Sequence, residues 1–225
     1  MHDCALKRIS LVIGLALAIW LGPAAAGTVA AEGSIRLAVD ARQAPQKILH
    51  AHMQIPVQAG PLTLYYPKWI PGEHIPDGPI IEMAGLKFSA GGKTIPWRRD
   101  LVEMFSFHLE IPQGVTSLDV DLDCLLTAPA NGFSAGASAT AALDLLSWNQ
   151  VLLYPKGSPA SEIMFTPSLT LPSGWKYGTA LPGAKENGNT VDFDTVSLTT
   201  LVDSPVISGK YFRAIQLTPG QQPPH

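Results

Sequence analysis

From Leu118 to Leu126 the chain alternates strictly. Leu118, Val120, Leu122, Cys124 and Leu126 are separated by Asp119, Asp121 and Asp123, with Leu125 closing the run. Side chains at every second position of a β-strand share a face, so this stretch predicts a strand with one apolar and one acidic side. No helix satisfies that period. Cys124 then points inward as a small core hydrophobe rather than a reactive thiol. Neighbouring carboxylates along one strand lie roughly 6.5 to 7 Å apart, too far to share one calcium ion without ligands from elsewhere, so the aspartates read as a solvated face.

Comparable runs recur through the chain: SIRLAVDA, KILHAHMQIPV, LTLYY, GLKFS, EMFSFHLEI, NQVLLY, IMFTPSLTL, TVDFDTV and KYFRAIQL. Proline, glycine, asparagine and serine clusters separate them. The pattern predicts an all-β, antiparallel, sandwich-like domain over residues 27–220, with residues 221–225 a loose polar tail. Only Ser134–Trp148 leans helical, which allows one short helix at most. An apolar content of 46% with 15% charged residues is enough to build a core.

The start of the chain has a different character. Lys7 and Arg8 precede the apolar run Ile9–Gly22, and small residues at Ala24 and Ala26 suit signal-peptidase cleavage after Ala26, with a cut after Ala31 as the alternative. The run of 14 residues is short of the roughly 20 needed to span a bilayer. Export to the periplasm or the extracellular space is expected, with no stable membrane span once residues 1–26 are gone. Those residues carry Asp3, Lys7 and Arg8, so 17 acidic residues then face 13 lysines and arginines, a net charge of −4. That balance argues against a nucleic-acid partner. Cys4 leaves with the leader, and Cys124 has no partner left in the chain.

Three candidate chemistries stand against blander readings. Gly132–Gly136 matches G-x-S-x-G and offers Ser134 as a nucleophile, but the only later histidine is His225, in the tail, and the chain lacks β-α alternation. A serine esterase is therefore the weakest reading. For metal, His50, His52, Glu73, His74, Asp77 and His108 are available, yet no histidine is followed by glutamate and H-E-x-x-H is absent. His50 and His52 share a strand face and read as ordinary half-buried histidines. The proline-rich stretch YYPKWIPGEHIPDGP, residues 65–79, is a stiff turning loop that favours presentation over chemistry. We accordingly expect no catalytic residue, no metal ligand and no cofactor.

The order of three motifs carries a family resemblance: the W-x-P-G corner Trp69, Pro71 and Gly72, then LLSWNQVLLYPKG, then LVDSPVISGKYFRAIQLTPG at Leu201–Gly220. It resembles the amino-terminal domain of the glycyl-aminopeptidase-type, PDZ-containing metallopeptidases, over roughly residues 34–220. His74 stands where the family corner usually has tyrosine. The resemblance implies an accessory β-domain that packs on a catalytic peptidase domain or contacts a peptide ligand. It also carries over no catalytic residue, because the family's zinc helix has no counterpart here. Such a domain should expose an apolar patch, with Trp69 or Trp148 as candidates. Amino-terminal sequencing of the exported protein should begin at Gly27; a chain still starting at Met1 would overturn the leader reading.

Overall fold

A computed structural model describes residues 33–70, 74–126 and 138–215. The predicted leader, Pro71, Gly72, Glu73, Ser134 and the tail lie outside the described residues. In chain order the strands are β1 (Ile35–Asp40), β2 (Ile48–Pro56), β3 (Gly60–Tyr65), β4 (Met83–Ala90), β5 (Lys93–Thr94) and β6 (Trp97–Arg99). Next come β7 (Ser106–Ile111), β8 (Ser117–Leu125), β9 (Ser138–Ala139), β10 (Leu143–Leu146), β11 (Tyr154–Pro155) and β12 (Met164–Thr170). The last are β13 (Lys176–Thr179), β14 (Lys185–Asn187), β15 (Thr190–Asp192), β16 (Val196–Ser197) and β17 (Val206–Gly209). One short helix, α1 (Leu198–Val202), sits between β16 and β17.

The alternating stretch forms β8 and supports the widest sheet. Its nine residues pair with all of β2, Ile48 opposite Leu125 through Pro56 opposite Ser117. The sheet runs β14-β15-β12-β1-β2-β8-β4-β5, with β16 also on β12. All its neighbours are antiparallel except β1 and β12, which run parallel. Two four-stranded sheets complete the domain, β13-β17-β10-β9 and β11-β3-β7-β6. The architecture is the all-β, antiparallel-rich sandwich that the strand pattern predicts.

Burial follows the pleat. Leu49, Ala51, Met53 and Ile55 of β2 and Leu118, Val120, Leu122 and Cys124 of β8 are buried against Leu62, Leu64, Phe107 and Leu109 of the β3–β7 sheet and against Trp148, Leu152 and Leu153. Trp97 bridges two sheets, with its ring 5.8 Å from Phe88 of β4 and 5.6 Å from Phe107 of β7. Edge-on aromatic pairs of this kind favour a specific mutual orientation, beyond simple area burial.

Three expectations are corrected. The described part of Ser134–Trp148 is not helical: it forms β9, β10 and the start of a single 3-10 turn at Trp148–Gln150. Within β10, Asp144 and Leu146 are buried while Leu143 is exposed, a period of two that the alanine content upstream concealed. NQVLLY contributes only Tyr154 to a strand, since β11 is Tyr154–Pro155 and Val151, Leu152 and Leu153 fill the core from irregular backbone. Of KYFRAIQL, the described residues lie past the strand, whose place is taken by Val206–Gly209. The true helix begins at Ser197, whose side chain accepts from the Thr200 backbone N–H, a capping arrangement that starts a helix within a threonine-rich stretch.

Phe165 on β12 is fully buried. Phe165→Ala should cost about 3–5 kcal/mol in urea unfolding. Leu125→Ala, on the exposed side of β8 at 41% exposure, should cost less than about 1 kcal/mol.

Candidate functional site

The β2–β8 register joins residues that sequence spacing keeps apart. His50 stands opposite Asp123, His52 opposite Asp121 and Gln54 opposite Asp119. The side chains meet: His50 Nδ1 lies 2.6 Å from Asp123 Oδ1, His52 Nδ1 lies 2.8 Å from Asp121 Oδ1, and Gln54 Nε2 donates to Asp119 Oδ1 at 3.2 Å. His52 Nε2 also approaches Asp119 Oδ1 at 3.7 Å. The acidic face is therefore a histidine–aspartate ladder on the outside of the large sheet. One oxygen of each aspartate is engaged by a neighbouring side chain. Among the described residues no group of three or more His, Cys, Asp or Glu is arranged to hold a metal ion.

The proline-rich corner is also surface. Trp69 is 63% exposed and His74 is exposed, while Pro71 and Gly72 lie outside the described residues. The loop folds back on itself, with Gly78 N–H donating to the Lys68 carbonyl at 3.0 Å. A Cβ at Gly78 would collide with the Pro67 carbonyl oxygen, so only glycine fits that crossing. Lys68 ties the corner to a second loop through Glu103 Oε2 at 2.6 Å, and that contact holds the Glu103 carboxyl below its ordinary range. On this second loop Leu101 is 99% exposed and Val102 94% exposed, beside Met104. Trp148, by contrast, is fully buried, with its indole N–H on the Ser204 carbonyl at 3.0 Å. Trp69 on the corner and Leu101, Val102 and Met104 on the second loop are thus exposed apolar side chains, on two loops that Lys68 and Glu103 tie together; Ile75, Ile81, Tyr211 and Ile215 are exposed as well.

His108 does not join the other candidate ligands. On β7 it lies between Thr63 and Asp100, with Nδ1 3.1 Å from Thr63 Oγ1 and Nε2 2.8 Å from Asp100 Oδ2. Sequence reasoning missed this set because its members come from β3, β7 and the β6–β7 loop.

It also missed a buried acid. Asp144 on β10 is 1% exposed, opposite Ser208 of β17 in register. Its Oδ1, the Ser208 Oγ and the Gln150 Oε1 are buried with no hydrogen-bond partner among the described residues. Burial pushes the Asp144 carboxyl up to about 7, and burial, with Glu82 and Asp144 nearby, pushes the Cys124 thiol up to about 12. Cys124 is thus an inert core residue, free and inward.

The comparisons fit this fold. The model of the peptidase M61 N-terminal domain matches residues 36–210. The chain belongs to that family. No curated protein sequence matches the chain. Among solved structures, an aminopeptidase N family protein from Idiomarina loihiensis is similar at 16% identity and a TM-score of 0.63, covering 78% of this chain and 29% of that one. An M1 zinc metallopeptidase from Deinococcus radiodurans matches at 16% identity and a TM-score of 0.45, covering 78% of this chain and 41% of that one. Leukotriene A4 hydrolase from Saccharomyces cerevisiae matches at 10% identity and a TM-score of 0.48, covering 81% of this chain and 29% of that one. The chain thus spans less than half the length of these structures. At 16% identity the likeness to the Idiomarina loihiensis protein concerns the fold alone.

Asp144 generates a pH dependence with a definite sign. Its folded pKa of about 7 lies above the ordinary 3.8, so the folded state binds the proton more tightly than the unfolded chain. The stability this contributes is complete below the ordinary value and is lost as pH rises towards 7 and beyond. The loss should be on the order of 4 kcal/mol between about pH 4 and pH 8, since each tenfold difference in proton affinity between the two states is worth roughly 1.4 kcal/mol. Asp144→Asn should flatten that slope in urea unfolding measured across pH; an unchanged slope would mean that another group carries it.

Proposed function

We propose that this chain is an accessory β-domain of an exported zinc aminopeptidase-like protein, non-catalytic towards peptide bonds and working by contact with a catalytic domain or with peptide. The observation that carries the reading is the family match, which is to a peptidase N-terminal domain by its own description and covers residues 36–210. Residues 1–225 contain no H-E-x-x-H. The exposed surface at Trp69, Leu101, Val102 and Met104 supports a role in contact, since adjacent aliphatic side chains left in water gain by being covered. The same surface favours a second reading, in which the domain completes a metallo-aminopeptidase in trans.

The purified protein should release no amino acid from peptides with or without added zinc. Mixed at high concentration with a zinc aminopeptidase catalytic domain stripped of its own amino-terminal β-domain, it should give a calorimetric binding signal. The double substitution Leu101→Asp, Val102→Asp should weaken that binding by more than about tenfold. No heat of binding with any such partner would reject the reading in trans. Zinc-dependent peptide release by the isolated chain would reject the non-catalytic one.

A further inference from the structure

On the β11-β3-β7-β6 sheet a hydroxyl and an imidazole meet a carboxylate from the loop after β6. Thr63 on β3 and His108 on β7 are register partners, and Arg98 on β6 is the partner of His108 on its other side. All three side chains border one shallow groove of about 420 Å³, which Pro61, Pro96 and Glu110 also line.

Asp100 sets the order of the chain. Its Oδ1 accepts the backbone N–H groups of Val102 and Glu103, both at 2.9 Å. Its Oδ2 lies 2.8 Å from His108 Nε2. The Glu103 N–H, His108 and the Val102 N–H together hold the Asp100 carboxyl well below the ordinary carboxylate range. An ionised carboxylate can only accept, so the proton between Asp100 and His108 sits on Nε2. In the neutral ring Nδ1 is then an acceptor, and its neighbour at 3.1 Å is the Thr63 hydroxyl, which donates to it. The loop is already anchored by the two backbone contacts and by Lys68 on Glu103. Thr63 adds nothing to that anchorage; it is the open end of the relay, on the groove.

From this geometry we infer that Thr63, His108 and Asp100 form an acyl-transfer site, independent of the peptidase reading, whose substrates are small activated acyl esters. A nucleophile on its base, with the base oriented by a third group, is the arrangement such chemistry needs. Thr63 Oγ1 forms a bond to the ester carbonyl carbon as its proton passes to His108 Nδ1. The ester C–O bond breaks, and the departing alkoxide takes that proton. Water then attacks the acyl-threonine, giving its proton to Nδ1; the bond from Oγ1 to the acyl carbon breaks, and Oγ1 recovers the proton. Throughout, Nε2–H stays on Asp100. The exposed Arg98 guanidinium is the cation on this groove available to the developing oxyanion. Thr63 and His108 are the catalytic residues; Asp100 is a positioning residue.

The test uses p-nitrophenyl acetate and the whole chain. In the wild-type protein quenched during turnover, tandem mass spectrometry should place an acetyl group on Thr63. Acetyl groups only on lysines, or none, would overturn the site, and this arm needs no variant to fold. Thr63→Val, close in shape, should lower ester turnover at least about a hundredfold, and His108→Gln similarly. Thr63→Ser should restore the acyl adduct at residue 63. Turnover at the wild-type rate in Thr63→Val would overturn the nucleophile even if His108→Gln were inactive, because a surface imidazole alone would then account for the hydrolysis.

Discussion

The nine-residue pairing of β2 with β8 is the constraint on which the rest of the domain depends. Every second residue of each strand is apolar and buried, and the residues between are His50, His52 and Gln54 on one side and Asp119, Asp121 and Asp123 on the other. A slip of one residue would turn one strand's apolar set to water and bring its polar set inside. The register is thus enforced twice, by burial and by the cross-strand histidine–aspartate contacts. Buried area supplies most of the energy. The polar pairs, exposed to solvent, contribute little individually and act mainly against misalignment.

The remaining strands of the large sheet flank this pair, some of them from distant parts of the chain. β1 joins the free side of β2, and β12 joins β1 in parallel, bringing Phe165 beside Ile35. A parallel neighbour needs a long crossover, and here the crossover holds β2 to β11, with most of the two smaller sheets. The large sheet therefore brackets elements that lie between its own strands in the chain. Trp148 and Leu153 meet it from the opposite layer, the latter through its backbone N–H on the Met53 sulfur at 3.3 Å.

The strands around this pair were legible in the residues because their period is local. β1, β2, β8 and β12 each alternate clearly, and a period of two needs only five or six residues to declare itself. Ser134–Trp148 misled for the opposite reason. Its alanines favour helix, its strands are two and four residues long, and the buried position 144 holds aspartate where the code expects an apolar side chain. The corner at Trp69 declared a turning loop through its prolines, and the structure leaves Trp69 exposed. The paired sets did not declare themselves. His50 and Asp123 are 73 positions apart and Thr63 and His108 are 45 apart, so only register brings them within reach.

The two features that give this surface character share one carboxylate. Asp100 Oδ1 holds the backbone of Val102 and Glu103, and so fixes the turn that leaves Leu101 and Val102 in solvent. Asp100 Oδ2 fixes the His108 ring, and through it the Thr63 hydroxyl. A side chain so committed resists protonation, so the Asp100 carboxyl stays an acceptor for both sets of partners. The loop that offers a partner an apolar tip is therefore also the loop that orients the relay. A partner seated on Leu101 and Val102 bears on the Asp100 turn directly, and any strain it imposes there reaches His108 through a single hydrogen bond. The contact proposed at Leu101 and Val102 and the chemistry proposed at Thr63 therefore meet at Asp100, although each rests on its own set of side chains.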